Sequence, residues 1–254
     1  MRRILLRLAY DGTAYHGWQR QENGVSVQEE LERALSEIFG EAIEAEGGSR
    51  TDAGVHARDN VAAISLPEEH RIPAEKLPLA LNRRLPEDIR VTAGCEVAED
   101  FHPRKCESRK TYEYRILNSP LPDPLRRLYA THVHRPLDAE RMAAAALPLV
   151  GEHDFTSFCS VHAQSNTRVR HIYSLTVTRQ EDEILIRVSG NGFLYNMVRI
   201  IAGTLMEAGF GNITAEDVER MLEAKDRSAA GPTAPPQGLC LTEYRFTAGI
   251  DGLR

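Results

Sequence analysis

Long apolar runs, paired cysteines and an excess of positive charge are all missing from this sequence of 254 residues. Its four cysteines, Cys95, Cys106, Cys159 and Cys240, are scattered, with no C-x-x-C pair and no histidine at zinc-finger spacing. That pattern argues against a structural zinc site and for reduced thiols. The N-terminal MRRILLRLAYDG begins with basic residues and turns apolar, as a signal peptide does, but Arg7 interrupts the run before it reaches the required length. No other segment approaches the roughly 20 apolar residues of a membrane span, so the chain reads as cytoplasmic. Lys and Arg number 31 against 37 Asp and Glu, a net charge of −6. A negative total counts against a polyanionic partner, yet a partner feels the local field rather than the sum.

What is present is core material and clear periodicity. Hydrophobic residues make up 42% of the chain, enough for one large domain or two smaller ones. RILLRLAY (3–10) reads as a strand, and SVQEELERALSEIFG as an amphipathic helix between Ser26 and Gly40, with Glu29 completing a capping box. EAIEAEG and NVAAISL read as strands flanking a loop, followed by a helix near PAEKLPLALNRR and a strand near IRVTAGCEV. The order strand, helix, strand, strand, helix, strand is that of the split βαβ, ferredoxin-like arrangement. In the second half RKTYEYRIL alternates, with Lys110, Tyr112, Tyr114 and Ile116 on one side. VRHIYSLTVTRQ and EILIRVSG form a hairpin, and FLYNMVRIIAGTLMEAG and TAEDVERMLEAK form two helices, the second with Thr214 and Asp217 in capping-box positions. The proline-bearing GPTAPPQGLCL leads into a last strand, LTEYRF. The expectation is an α+β protein of two related halves, 1–103 and 104–254, with mainly antiparallel sheets; residues 120–165 give no firm assignment.

Chemistry concentrates in GGSRTDAGVHARDN, residues 47–60. An isolated Arg-Thr-Asp is an ordinary turn whose arginine neutralises the aspartate. The longer string resembles the catalytic motif of the tRNA pseudouridine synthase A (TruA) family. The resemblance recurs in order along nearly the whole chain: AYDGTAYHGWQRQ at 9–21, KTYEYRI with Tyr112, GNGFLYNMVRIIAG with Arg199, and APPQGLCL with Leu239.

This resemblance implies isomerisation of uridine to pseudouridine in the tRNA anticodon arm, at tRNA positions 38, 39 and 40, in a central RNA-binding cleft, by a homodimer needing no metal or organic cofactor. The reaction breaks a C–N glycosidic bond, turns the uracil and rejoins it through carbon. Asp52 fits as nucleophile or base, and the sequence does not choose between attack at the base, attack at the sugar and abstraction of a sugar proton. Arg199 would hold Asp52 ionised. Tyr112 would stack on the uracil and serve the final proton transfer, against a plain cross-strand packing role beside Tyr114. Leu239 would form an apolar wall, and Arg50 would stabilise the extruded nucleotide. His56 reads as structural or solvated.

HPRKCESRK (102–110) carries Arg104, Lys105, Arg109 and Lys110 against Glu107 alone and runs straight into the Tyr112 strand. That placement favours phosphate contact over a merely solvated face, with Arg109 and Lys110 as substrate-binding residues. Two other readings stand beside this one. A non-catalytic RNA-binding protein leaves Asp52 without a purpose, and an aspartate-nucleophile hydrolase or phosphotransferase needs an acidic, magnesium-binding cluster that this loop does not supply.

Overall fold

A computed structural model of the chain describes residues 1–250. In order, the elements are β1 (Arg2–Tyr10), α1 (Val27–Phe39), β2 (Ala45–Gly47), β3 (His56–Leu66), α2 (Leu77–Leu81), β4 (Ile89–Val97), β5 (Ser108–Leu117), β6 (Thr131–His132), α3 (Ala139–Ala146), β7 (Gly151–Asp154), β8 (Val169–Gln180), β9 (Glu183–Gly190), α4 (Met197–Gly209), α5 (Ala215–Ala224) and β10 (Leu239–Phe246). The class is α+β, with mostly antiparallel pairing. Two compact units form: Met1–Ser108 with the chain from Leu241 onward, and Arg109–Cys240.

In the first unit the strand order is β4-β1-β3, with β2 added to β3 at Ala62–Ile64. Ile4, Leu5, Leu6 and Leu8 of β1 are all fully buried. A central strand covered on both faces reads as a continuous apolar run rather than an alternation. Each such side chain contributes about 1.5–3 kcal/mol by leaving water. Leu5 packs with Val61, Ala63, Cys95 and Tyr244. Helix α1 buries Val27, Leu31 and Leu35, the stripe its spacing predicts, and the Ser26 hydroxyl accepts the Glu29 amide at its start. The expected helix across PAEKLPLALNRR shrinks to a 3-10 turn at Ala74–Lys76 and the five residues of α2.

The second unit is built on the order β5-β9-β8-β7, with β6 lying parallel to β5. Helix α4 buries 11 of its 13 residues, and Thr214 caps α5 through the expected box with Asp217. Sequence periodicity starts α4 at Phe193, but the structure starts it at Met197, because Asn196 adopts a left-handed conformation at φ 62° and stops the helix from extending back. In the unassigned stretch the chain forms α3, capped by Asp138 accepting from Glu140 and Arg141, and the short strands β6 and β7. Among the described residues no helix is long and apolar enough to cross a membrane.

Candidate active site

Asp52 lies in the loop between β2 and β3, and burial alternates along it: Ser49 and Thr51 are each 7% exposed, Arg50 is exposed and Asp52 is half-buried. Alternation with period two sends Ser49 and Thr51 inward and Arg50 and Asp52 outward. The inward pair is fastened by Asn60 of β3 and Tyr10 of β1. Asn60, fully buried, accepts the Ser49 and Val61 amides through Oδ1 at 3.2 and 2.9 Å and donates through Nδ2 to the Ser49 carbonyl at 2.9 Å and the Tyr10 hydroxyl at 3.1 Å. Both donors and both acceptor sites of the amide are thereby used. The Tyr10 hydroxyl also meets Thr51 Oγ1 at 2.8 Å.

A second clamp comes from AYDGTAYHGWQRQ. The Trp18 amide donates to the Thr51 carbonyl at 3.1 Å, and the Gly54 amide donates to the Tyr15 carbonyl at 3.2 Å. Gly17, at φ +87°, admits this approach: a Cβ there would stand 2.6 Å from the Thr51 carbonyl oxygen. Gly47 likewise makes room for the Trp18 indole, whose Nε1 would be 2.1 Å from an added Cβ. The Val55 amide closes the turn onto the Asp52 carbonyl at 3.1 Å. Backbone held at residues 49, 51, 52 and 54 leaves two charged side chains displayed on a rigid frame, the condition for a preorganised site.

His56 belongs to this frame. Only 6% exposed, its Nδ1 lies 3.1 Å from the Gly12 amide and 3.0 Å from Asp11 Oδ1. One nitrogen cannot serve both: without a hydrogen it accepts from Gly12, and as N–H it donates to Asp11. Arg50 is exposed by surface area, yet enough of the loop crowds its guanidinium that desolvation, with the Arg104 charge second, lowers its pKa.

In the second unit Tyr112, 5% exposed, packs edge-to-face on Phe193 with ring centroids 5.1 Å apart. Arg199 Nε donates to the Ala234 carbonyl at 2.7 Å, its NH1 donates to Asn196 Oδ1 at 3.0 Å, and the Ala234 amide returns a bond to the Arg199 carbonyl at 3.0 Å. The next residue in the proline loop, Pro235, accepts the Tyr114 hydroxyl at 2.9 Å. Burial raises the Tyr114 pKa, opposed by smaller effects of the Thr131 hydrogen bond and the Arg199 charge. Arg199, Tyr114 and the loop leading to Leu239 thus form one connected group, and Leu239 is 4% exposed at the start of β10. Arg109 Nε donates to Ser189 Oγ at 2.7 Å. Lys110, half-buried, stands opposite Gly190 on β9.

The residues that sequence reasoning missed are the fasteners: Asn60, Tyr10, Tyr15, Gly17 and Trp18 around Asp52, and Asn196 with Ala234 around Arg199. A signal existed for the first set, since two tyrosines, two glycines and the single tryptophan crowd into residues 10–18.

Comparison with known proteins identifies the family. A family described as tRNA pseudouridine synthase matches residues 8–104 and 145–247. A tRNA pseudouridine synthase A of Thermoanaerobacter sp. (strain X514) is 47% identical over 246 residues, covering 97% of this chain and 100% of the relative. The synthase of that name from Halalkalibacterium halodurans is 45% identical over 250 residues, covering 98% and 94%, and that from Acetivibrio thermocellus is 44% identical over 246 residues, covering 97% and 100%. A family match on both units and relatives aligned from end to end leave one conclusion: the chain belongs to the tRNA pseudouridine synthase family and is an isomerase of that class.

Proposed function

We propose that this isomerase converts uridine to pseudouridine in the anticodon stem-loop of tRNA, at positions 38, 39 and 40, with Asp52 as the catalytic carboxylate and without a metal or organic cofactor. The observation that carries the proposal is the pinned loop, in which the Asn60, Tyr10 and Trp18 bonds fix the backbone on both sides of Asp52 while its side chain stays half-exposed. The bond from ribose C1′ to uracil N1 breaks, the ring turns, C5 bonds to C1′, the C5 proton leaves and N1 takes one up. Asp52 acts as nucleophile or base in this sequence, and Arg199 supplies the counter-charge that keeps it ionised. Tyr112 and Leu239 flank the uracil, and Arg50 stabilises the extruded nucleotide, an extrusion that costs a few kcal/mol. Arg109 and Lys110 contact phosphate.

The order β4-β1-β3-β2 in the first unit and the β5-β9-β8 order in the second support a reading of two ferredoxin-like halves. A homodimer working in the cytoplasm rests on the family likeness alone.

The test is tritium release from tRNA labelled at uracil C5, with chelator present, by the parent and by Asp52→Asn. The parent should release tritium and the variant should not, while the variant keeps the parent's melting temperature and tRNA affinity, since phosphate contacts supply most of the binding. Release by Asp52→Asn near the parent rate would reduce Asp52 to a turn residue. Binding without release by the parent would leave an RNA-binding protein, and metal-dependent phosphate release a phosphotransferase.

A further inference from the structure

Arg109 lacks the carboxylate partners that hold two other arginines of its sheet. Arg115 is ion-paired with Glu113 and Glu183, and Arg187 with Glu113. Among the described residues no carboxylate lies within ion-pair distance of Arg109. Its guanidinium is nonetheless held. Nε donates to Ser189 Oγ at 2.7 Å, and Cζ lies over the Tyr173 ring, 5.3 Å from its centroid. Ser189 is 3% exposed and receives the Thr111 hydroxyl at 3.2 Å, so its position is fixed from the core side.

The Tyr173 ring is placed by an irregularity in the ladder. Ile172 stands opposite Gly190 but Ser174 opposite Ser189, so the register slips by one residue and Tyr173 is the extra one, outside the pairing. Such bulges bend a strand and re-aim a side chain. The ring is 44% exposed and rests 4.9 Å from the His171 ring. An exposed tyrosine in a bulge contributes little to the core, and Arg109 lies over its ring.

Resting on the RNA-substrate reading above, we infer that Ser189 and Tyr173 are positioning residues that hold Arg109 as an end-on fork for one backbone phosphate of the RNA. With Nε spent on Ser189, the two terminal amino groups remain, and their parallel N–H bonds match two oxygens of a phosphodiester. A free arginine side chain forfeits rotamer entropy on binding; one stacked and hydrogen-bonded beforehand forfeits less. Neither partner adds charge, so their contribution passes through Arg109 alone.

The test is a double-mutant cycle on the full chain, reading tRNA affinity across a salt series, with melting temperatures to show that each variant folds. Arg109→Ala should weaken binding about tenfold at fixed salt and flatten the slope of log affinity against log salt by about 0.7–0.9, the loss of one phosphate contact. Tyr173→Leu and Ser189→Ala should each cost about threefold to fivefold in the parent and nothing further in the Arg109→Ala background. Tyr173→Phe, which keeps the stacking face, should bind as the parent does. If Tyr173→Leu costs the same factor with and without Arg109, the ring touches RNA itself and the positioning role is wrong. Unchanged affinity and slope in Arg109→Ala would remove the phosphate contact as well. A parent that binds no tRNA overturns both this inference and the substrate reading, whereas a parent that binds beside indifferent variants overturns this inference alone.

Discussion

Asn60 and Ser49 exchange two hydrogen bonds, Ser49 N–H to Oδ1 at 3.2 Å and Nδ2 to the Ser49 carbonyl at 2.9 Å, so one side chain imitates a strand partner for the loop that carries Asp52. Replacing Asn60 with Leu takes from the buried Ser49 amide and carbonyl their Asn60 bonds, each worth about 1–3 kcal/mol when left unsatisfied. With partial relaxation, the expected loss is about 2–4 kcal/mol in a denaturant titration. Turnover at saturating tRNA should fall further than the folded fraction does, because the loop loses its register. Equal stability in the parent and Asn60→Leu would show that the exchange holds nothing.

Gly17→Ala tests the second clamp. The new methyl meets the Thr51 carbonyl at a backbone angle that L-residues rarely adopt, and such strain costs on the order of 1–3 kcal/mol. The Trp18-to-Thr51 bond must then lengthen, so activity should drop at least tenfold while tRNA affinity changes little. An activity loss no larger than that of an exposed Gly40→Ala control would count against the clamp.

Arg199→Met separates the charge of Arg199 from its bulk. Removing a cation beside a carboxylate disfavours the ionised form, so if Asp52 depends on Arg199 the acid limb of the pH-rate profile moves to higher pH. Melting temperature should fall as well, since the Ala234 carbonyl and the Asn196 side chain lose their donor. Arg199→Lys should restore part of the profile. A profile superimposable on the parent's removes Arg199 as the counter-charge.

Asp154 gives a pH prediction independent of catalysis. Hydrogen bonds from the Thr156 side chain, foremost, then the Thr156 amide and the Lys225 contact lower its pKa, against a smaller raising effect of burial. A carboxyl with a depressed folded pKa stabilises fully above the usual aspartate value of about 3.9 and loses that contribution as pH falls through the folded value. Asp154→Asn should therefore be less stable than the parent at neutral pH, with the gap closing below about pH 4. Parallel stability curves from neutral to acid pH would contradict the assignment.

The sequence made the long periodic elements legible and the short ones not. Helix α1 announces itself through Ser26, Gly40 and a stripe at helical spacing, because propensity, caps and burial agree there. Strands β6 and β7, two and four residues long, owe their existence to partners elsewhere in the chain and carry no period of their own. Helix α3 had a readable start in Asp138, but its alanines give weak amphipathic contrast and Pro148 follows closely. The loop that carries Asp52 was legible because its motif is local. Asn60 was not, since at the head of NVAAISL it looks like a strand's polar first residue, and only the register of β3 against the loop turns it inward.

The frame around Asp52 also has a kinetic side. Tyr10 reaches Thr51 across 41 positions and Asn60 reaches Tyr10 across 50, so closing the loop waits until β1 and β3 have found each other. Contacts of that span pay their chain-closure entropy early and return stabilisation late. An emerging chain that has made α1 and the β3 strand but not yet docked β1 holds an undisciplined Asp52. Catalytic competence should therefore rise with the slowest phase of refolding, making turnover a reporter of β1 docking.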